Sequence, residues 1–415
     1  MKGFIFLAGF GVLLIGVLVL ASGIACATMP ARPDDVLWSK TFAGNGSHNC
    51  LAIACTTGGG YVLGGQSVNG TNASAYAAKT DGNGSLLWEN NSFPGSVAFY
   101  DVISLPGGSL VFAGAYGGVS TNAAQQGFLA KTDADGRQIF ARTYGIDGNL
   151  YLSRVLAEDD GSLVVLGMGI NLSEGGTERS YVYLLKVDTA GNVLWSQLYG
   201  GLYGLNCQGF VKANDGGYAI AGSVTNISRG TIDACLIKVD RDGNKLWEAR
   251  YSGTGYVTIA SLCTAGDDGY LLGGQISNQP GTKRYVLRVG LNGTVLWNRT
   301  YAADDTVYDV LPASGGGFVL ACGHNVTKVS SDGVEEWGRD FGKGDCALNC
   351  VVEAADGSYV FGGYTTTADR NLSLWLVDIG MTKAPGFTPE GCCWPAFVLP
   401  SVAVSVVALR RRRQS

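Results

Sequence analysis

The ten residues KVDTAGNVLW, Lys186 to Trp195, return as KVDRDGNKLW, Lys238 to Trp247, and this repetition limits the fold more than any other feature of the chain. The closing aromatic recurs as Trp38, Trp88, Phe140, Trp195, Trp247, Trp297 and Trp337, in steps of 50, 52, 55, 52, 50 and 40 residues. Between these positions a glycine turn followed by an apolar run ending in glycine also occurs seven times, from GGGYVLGG (58–65) through DGGYAIAG (215–222) to DGSYVFGG (356–363). The unit that ends at Tyr251 reads as four strands: GFVKA, YAIAGSV, ACLIKVD and KLWEARY, joined by NDGG, TNISRGTID and RDGN. Asx-Gly turns between short β-rich runs are strong hairpin signals. Four antiparallel strands repeated seven times predict an all-β, seven-bladed β-propeller over residues 28–380.

The phase of the repeat predicts how the ring closes. VLWSKTF (Val36 to Phe42) precedes any complete unit, and the last unit has only LNCVVEA, SYVFGGY and LSLWLVD. The N-terminal strand is therefore expected to complete the last blade. Each Trp is expected to pack on a neighbouring blade, and the paired glycines to allow close strand approach near the axis. Glycine is 63 of 415 residues without a Gly-X-Y period, which excludes collagen and fits turns and tight strands.

The two ends suggest an address. Lys2 is followed by a long apolar run, and Ala25-Cys26-Ala27 fits a signal-peptidase site, so residues 1–27 read as a signal peptide. An uncleaved anchor and lipidation at Cys26 are the alternatives. Residues 381–391 form a linker, 392–409 are uncharged and just long enough to span a membrane as a helix, and 410–415 are a basic tail expected to stay cytoplasmic. The body then lies outside the cell. Of 29 basic residues, Lys2 and Arg410 to Arg413 belong to the ends; of 34 acidic ones, Glu390 does. That leaves 24 basic against 33 acidic, a net charge of −9, and no footprint for nucleic acid.

Eleven Asn-x-Ser/Thr sequons support a surface glycoprotein: Asn45, Asn69, Asn72, Asn83, Asn90, Asn171, Asn226, Asn292, Asn298, Asn325 and Asn371. Six of them, Asn69, Asn72, Asn171, Asn226, Asn325 and Asn371, are expected in loops joining second to third strands, hence on one face.

The motif KxDxxGxxLW, as in Lys186 to Trp195 and Lys238 to Trp247, resembles the outer-strand repeat of quinoprotein-like (PQQ-like) propellers. The resemblance implies the fold only. Enzymes of that class need a vicinal disulfide, and the adjacent pair here, Cys392 and Cys393, lies in the apolar tail. The tail itself, with Pro385, Gly386 and Phe387 ahead of an apolar run and an arginine cluster, resembles the PGF-CTERM sorting signal of archaeal surface proteins. That resemblance implies an archaeosortase as processing partner and a lipid-linked C-terminus; TPEGCCWP departs from the usual pattern, and a plain membrane anchor is the alternative.

Few residues carry recognisable chemistry. His48 and His324 are the two histidines and are read as loop and turn residues. The DADG and DRDG turns lack the downstream ligands of a calcium loop. No metal and no cofactor are inferred. Eight cysteines fall in the body, and the pairing to test is Cys50 or Cys55 with Cys346 or Cys350, because first and last blades become neighbours on closure. Small buried thiols are the alternative.

The innermost strands begin with FYDV, SRV and VYDV, which brings Tyr100, Asp101, Arg154, Tyr308 and Asp309 towards one polar site at the channel mouth. A non-catalytic envelope component or an adhesion or recognition module, meeting envelope glycans or proteins, is the expected function. The alternative is an extracellular enzyme acting on polysaccharide or another small polar substrate, with Asp101 and Asp309 as acid and base.

Overall fold

A computed structural model describes residues 36–380, apart from short segments at 43–45, 71, 92, 94, 118–123, 173–177, 203, 254, 279–280, 302–304, 343, 345 and 368–370. The signal peptide, the Pro385-Gly386-Phe387 motif, the apolar tail and Asn45 lie outside the described residues. No helix among those described is long and apolar enough to cross a membrane.

Seven four-stranded antiparallel sheets form the blades. Blades 1 to 6 are continuous in sequence: Ser47–Asn90, Ser96–Tyr144, Asn149–Leu202, Asn206–Tyr251, Tyr256–Tyr301 and Asp309–Asp340. Blade 7 takes three strands from Cys346–Ile379, and Val36–Phe42 pairs antiparallel with Leu372–Ile379 to complete it. The N-terminal strand closes the ring as its sequence phase implies. In blade 4 the hairpin ladder runs to the Asn226–Thr231 pair, so the strands are longer and the loop shorter than the residue pattern suggests.

The repeated motif is a junction between blades. Asp81, Asp133, Asp188 and Asp240 each accept two backbone N–H bonds through Oδ1, from residues two and four positions on, and so fold the turn before the outer strand. The turn glycines, Gly84, Gly136, Gly191, Gly243, Gly293 and Gly333, have φ from +74° to +81°. A Cβ on any of them would meet the aromatic ring of the preceding blade at 2.5–3.2 Å: Trp38, Trp88, Phe140, Trp195, Trp247 and Trp297 in turn. Four residues beyond the aromatic, Tyr144, Tyr251 and Tyr301 donate to the carbonyls of Gly191, Gly293 and Gly333 at 2.8, 2.9 and 2.9 Å, and Tyr199 does the same to Gly243. Ring and hydroxyl grip one turn together.

Glycine performs a second task nearer the axis. A Cβ at Gly65, Gly114, Gly222, Gly274 or Gly363 would lie 1.8–2.1 Å from a carbonyl oxygen of the inner strand of its own blade. The close approach is therefore within a blade, between first and second strands, whereas Gly64 and Gly273 make room for side chains of the next blade.

The seventh junction differs because the chain is cut there. Trp337 of blade 6 faces a blade whose third and fourth strands are not joined by a turn, and it is 8% exposed with Nε1 unbonded. Opposite the aromatic stands Lys79, Lys131, Lys186, Lys238, Arg288 or Lys328 in blades 1 to 6, but Asp378 in blade 7. Burial pushes the Asp378 carboxyl up to about 6, and its Oδ1 has no hydrogen-bond partner.

Candidate functional site

Each inner strand runs from the upper face, where outer strands hand over to the next blade, down along the axis. In six blades it carries one extra residue, between Cys50 and Ala52, Phe99 and Asp101, Leu152 and Arg154, Cys207 and Gly209, Ile259 and Ser261, and Leu348 and Cys350. Such a bulge turns backbone N–H groups out of the ladder. In blade 6 the strand starts at the matching position, Asp309, paired with Ala321. The residues after the bulge therefore form one ring: Ala52, Asp101, Arg154, Gly209, Ser261, Asp309 and Cys350.

Six members of this ring, all but Gly209, line an axial cavity of 240 Å³ together with Asn349 and neighbouring apolar residues, and Asp101, Arg154 and Asp309 are among them. Of the five residues expected at one polar site, the structure places these three on the same cavity. Tyr100 and Tyr308 are not among its lining residues; Tyr100 packs edge-on against Tyr151 with ring centres 5.8 Å apart, and Tyr308 is exposed.

The carboxylates are tied to the next blade. Asp101 Oδ2 accepts from Val155 N at 2.7 Å, and Asp309 Oδ2 accepts from Val351 N at 3.0 Å. Asp309 Oδ1 also accepts from Ser261 Oγ at 2.8 Å and from Val310 N at 3.0 Å. Arg154 donates from Nη1 to the carbonyls of Ser153 at 2.9 Å and Tyr100 at 3.4 Å. The same logic joins blades 4 and 5 through Ile259 N to Ser223 Oγ, 2.8 Å, and blades 7 and 1 through Asn349 Nδ2 to Cys50 O, 2.9 Å. These side chains satisfy N–H and C=O groups that a sheet edge leaves open.

Burial pushes Asp101 up to about 6, against the pull of Arg154 and the Val155 amide. Asp309 is raised for the same reason, opposed by Arg154 and Ser261. Ser261, Ser223 and Asn349 escaped the sequence reading. The signal for the ring was present, since six of the seven members stand nine residues before the start of their second strand, as Asp309 does before Phe318 and Asp101 before Leu110, and Ser261 stands eight before Gly269.

Of the four cysteine pairings, the structure brings Cys50 and Cys350 together, with Sγ atoms 4.0 Å apart across the junction of blades 1 and 7, both buried as free thiols. Cys55 is exposed and its Sγ points to Glu353 O at 3.4 Å. Cys207 and Cys235 also meet at 3.9 Å, over Gly222, which pairs with both. Their strands are two ladder spacings apart, about 9–10 Å, too far for a disulfide.

His48 is not a loop residue. It lies within Ser47–Cys55, 6% exposed, edge-on to Tyr76 at 4.9 Å, because the strand begins one residue earlier and turns it inward. Burial lowers its pKa. His324 sits on the upper face with Nδ1 3.2 Å from Asp305 Oδ2.

The sequons spread over the molecule. Asn69, Asn72, Asn226, Asn325 and Asn371 lie beside second-to-third strand connections on the upper face; Asn171 is in that region at the end of a second strand. Asn83 and Asn292 sit in lower-face turns, and Asn90 and Asn298 on outer strands. Asn226 is the most engaged, donating from Nδ2 to Asp233 at 2.8 Å and accepting from Ser228 Oγ at 2.8 Å.

No protein-family model matches the chain. No curated protein matches it either. The propeller is similar to the solved structure of puromycin hydrolase, with TM-score 0.52 and 11% identity over 77% of this chain and 50% of that one. It is also similar to Sqt1 from Chaetomium thermophilum, with TM-score 0.50 and 11% identity over 83% of this chain and 98% of that one. At such identity the likeness is one of fold, and the fold is a seven-bladed propeller.

Proposed function

We propose that this chain is a non-catalytic recognition or adhesion module of the cell envelope, anchored at the outer surface through its C-terminal segment. The observation that carries the reading is the engagement of Asp101 and Asp309 by the Val155 and Val351 amides. A general acid and base need carboxyl oxygens facing substrate, and these hold blades together. Fold cannot decide function, because propellers host many activities. The anchoring half of the reading rests on the terminal sequences, the PGF-CTERM resemblance and the sequons, and it fits a propeller whose chain enters at Val36 and leaves after Gly380 at the same lower face.

One observation favours the rival reading, an extracellular enzyme acting on polysaccharide. Two carboxyl groups with raised pKa share a cavity with an arginine, which is a frequent arrangement in active sites. Intact-mass and C-terminal peptide mapping of protein from its native membrane, joined to a turnover screen on neutral and acidic polysaccharides, separates the two. A processed or lipid-linked end with hexose on the sequons and no turnover is the expected result. Turnover that disappears in the Asp101→Asn, Asp309→Asn double variant overturns the non-catalytic reading, and bare asparagines with an intact RRRRQS tail overturn the sorted-glycoprotein part.

A further inference from the structure

The upper face holds a second cavity, of 470 Å³, where blades 3, 4 and 5 meet. Its volume is in the range of small-molecule sites. None of its fourteen described lining residues carries a charge, in a chain with 29 basic and 34 acidic side chains. Burying an ionic group without a counter-charge is unfavourable, so a charged ligand finds no partner here. The lining alternates instead between apolar surface, such as Ile170, Ile232 and Ile259, and uncharged polar groups such as Asn206, Gln208 and Thr258.

Two of the polar groups are linked to each other. Gln208 Nε2 donates to Asn206 Oδ1 at 3.4 Å, which leaves Gln208 Oε1 as acceptor and Asn206 Nδ2 as donor. Gln208 is the extra residue of the blade 4 inner strand, the one the bulge turns out of the ladder. Tyr151, half-buried on the wall, is fixed edge-on by Tyr100. An aromatic face beside apolar patches, with a cluster of amides and hydroxyls, matches a ligand that has both C–H faces and many neutral hydroxyl groups.

We infer that this cavity binds a neutral saccharide, with Tyr151 against a sugar face and Gln208 and Asn206 on its hydroxyls. The inference deepens the recognition reading and rests on it, by naming the class of ligand and the place. The test uses the purified full chain in solution, so its failure leaves surface anchoring standing, and a failed anchoring result leaves this site untouched.

Titration calorimetry with methyl β-D-glucopyranoside, methyl α-D-mannopyranoside and N-acetylglucosamine is compared with glucuronate and glucosamine. At least one neutral probe is expected to bind about tenfold more tightly than both charged ones, and Gln208→Ala to weaken it by about tenfold. Tyr151→Ala should weaken it further; should that variant fail to fold, Gln208→Ala and Tyr151→Leu carry the test. Absence of binding by every neutral probe, equal binding of charged analogues, or unchanged affinity in Gln208→Ala each overturns the inference.

Discussion

At the rim of the propeller, six of seven blade junctions are made from the same parts: a turn led by aspartate, glycine or serine, a glycine with positive φ, and the aromatic ring of the preceding blade resting on it. At the axis no two adjacent positions of the ring agree: Ala52, Asp101, Arg154, Gly209, Ser261, Asp309 and Cys350 occupy equivalent places. The rim solves one packing problem repeatedly, so one answer serves. Each axial residue meets a different neighbour and must close a different set of hydrogen bonds. Regularity therefore marks what holds the ring, and variety marks where a ligand can be distinguished.

The sharpest way to break this comparison is to fill the rim glycine. Gly243→Ala forces a side chain into a φ of +80° and places Cβ 2.9 Å from Trp195, and the expected loss is about 3 kcal/mol. Gly315→Ala, where a Cβ meets nothing within 4 Å, should stay within about 0.5 kcal/mol. Equal denaturation midpoints for the two would refute the clamp.

The rim exception comes next in size. Asp378 has a folded pKa raised to about 6 from 3.8, so its stabilising, protonated form is complete below the unfolded value and is lost as pH rises through about 6. Asp378→Asn should raise stability above that pH by roughly 2–3 kcal/mol and leave it little changed near pH 4. Unfolding curves across pH 4–8 check the sign; a gain confined to acid pH contradicts it.

At the axis, Asp101→Ala leaves the Val155 N–H without its acceptor and should cost about 1–3 kcal/mol. Asp101→Asn keeps an oxygen there and should match wild type near pH 4 and exceed it by roughly 2–3 kcal/mol at pH 7, because the buried carboxyl no longer has to ionise as pH rises through about 6. Identical behaviour of the two variants would mean that the carboxylate does not bridge blades 2 and 3. Tyr251→Phe, which removes one 2.9 Å bond to the Gly293 carbonyl, should cost about 1 kcal/mol in the same unfolding measurement.

The rim was the legible part of the molecule. Trp195 and Trp247 announce themselves because identical contacts select identical residues, and the spacing of their turns gives the strand count without any knowledge of distances. The axis was half legible. FYDV and VYDV pointed to Asp101 and Asp309, but residues such as Ser261 and Asn349 are common in loops and strands alike, and only their place in the ring singles them out. His48 was misread for a related reason: a single strand boundary decides whether it faces water or Tyr76.

What the sequence determined alone is the repeat, the seven blades and the closure by Val36–Phe42, since short-range turn chemistry and strand length are local properties. Which side chains converge across 50 or 300 residues was decided by the tertiary structure. Cys50 meets Cys350, Asp101 caps Val155, and Tyr151 shares a cavity with Gln208 and Thr258 only because the ring brings their strands side by side. Hydrogen bonding and packing act through space, and a linear pattern records them only where the same contact recurs.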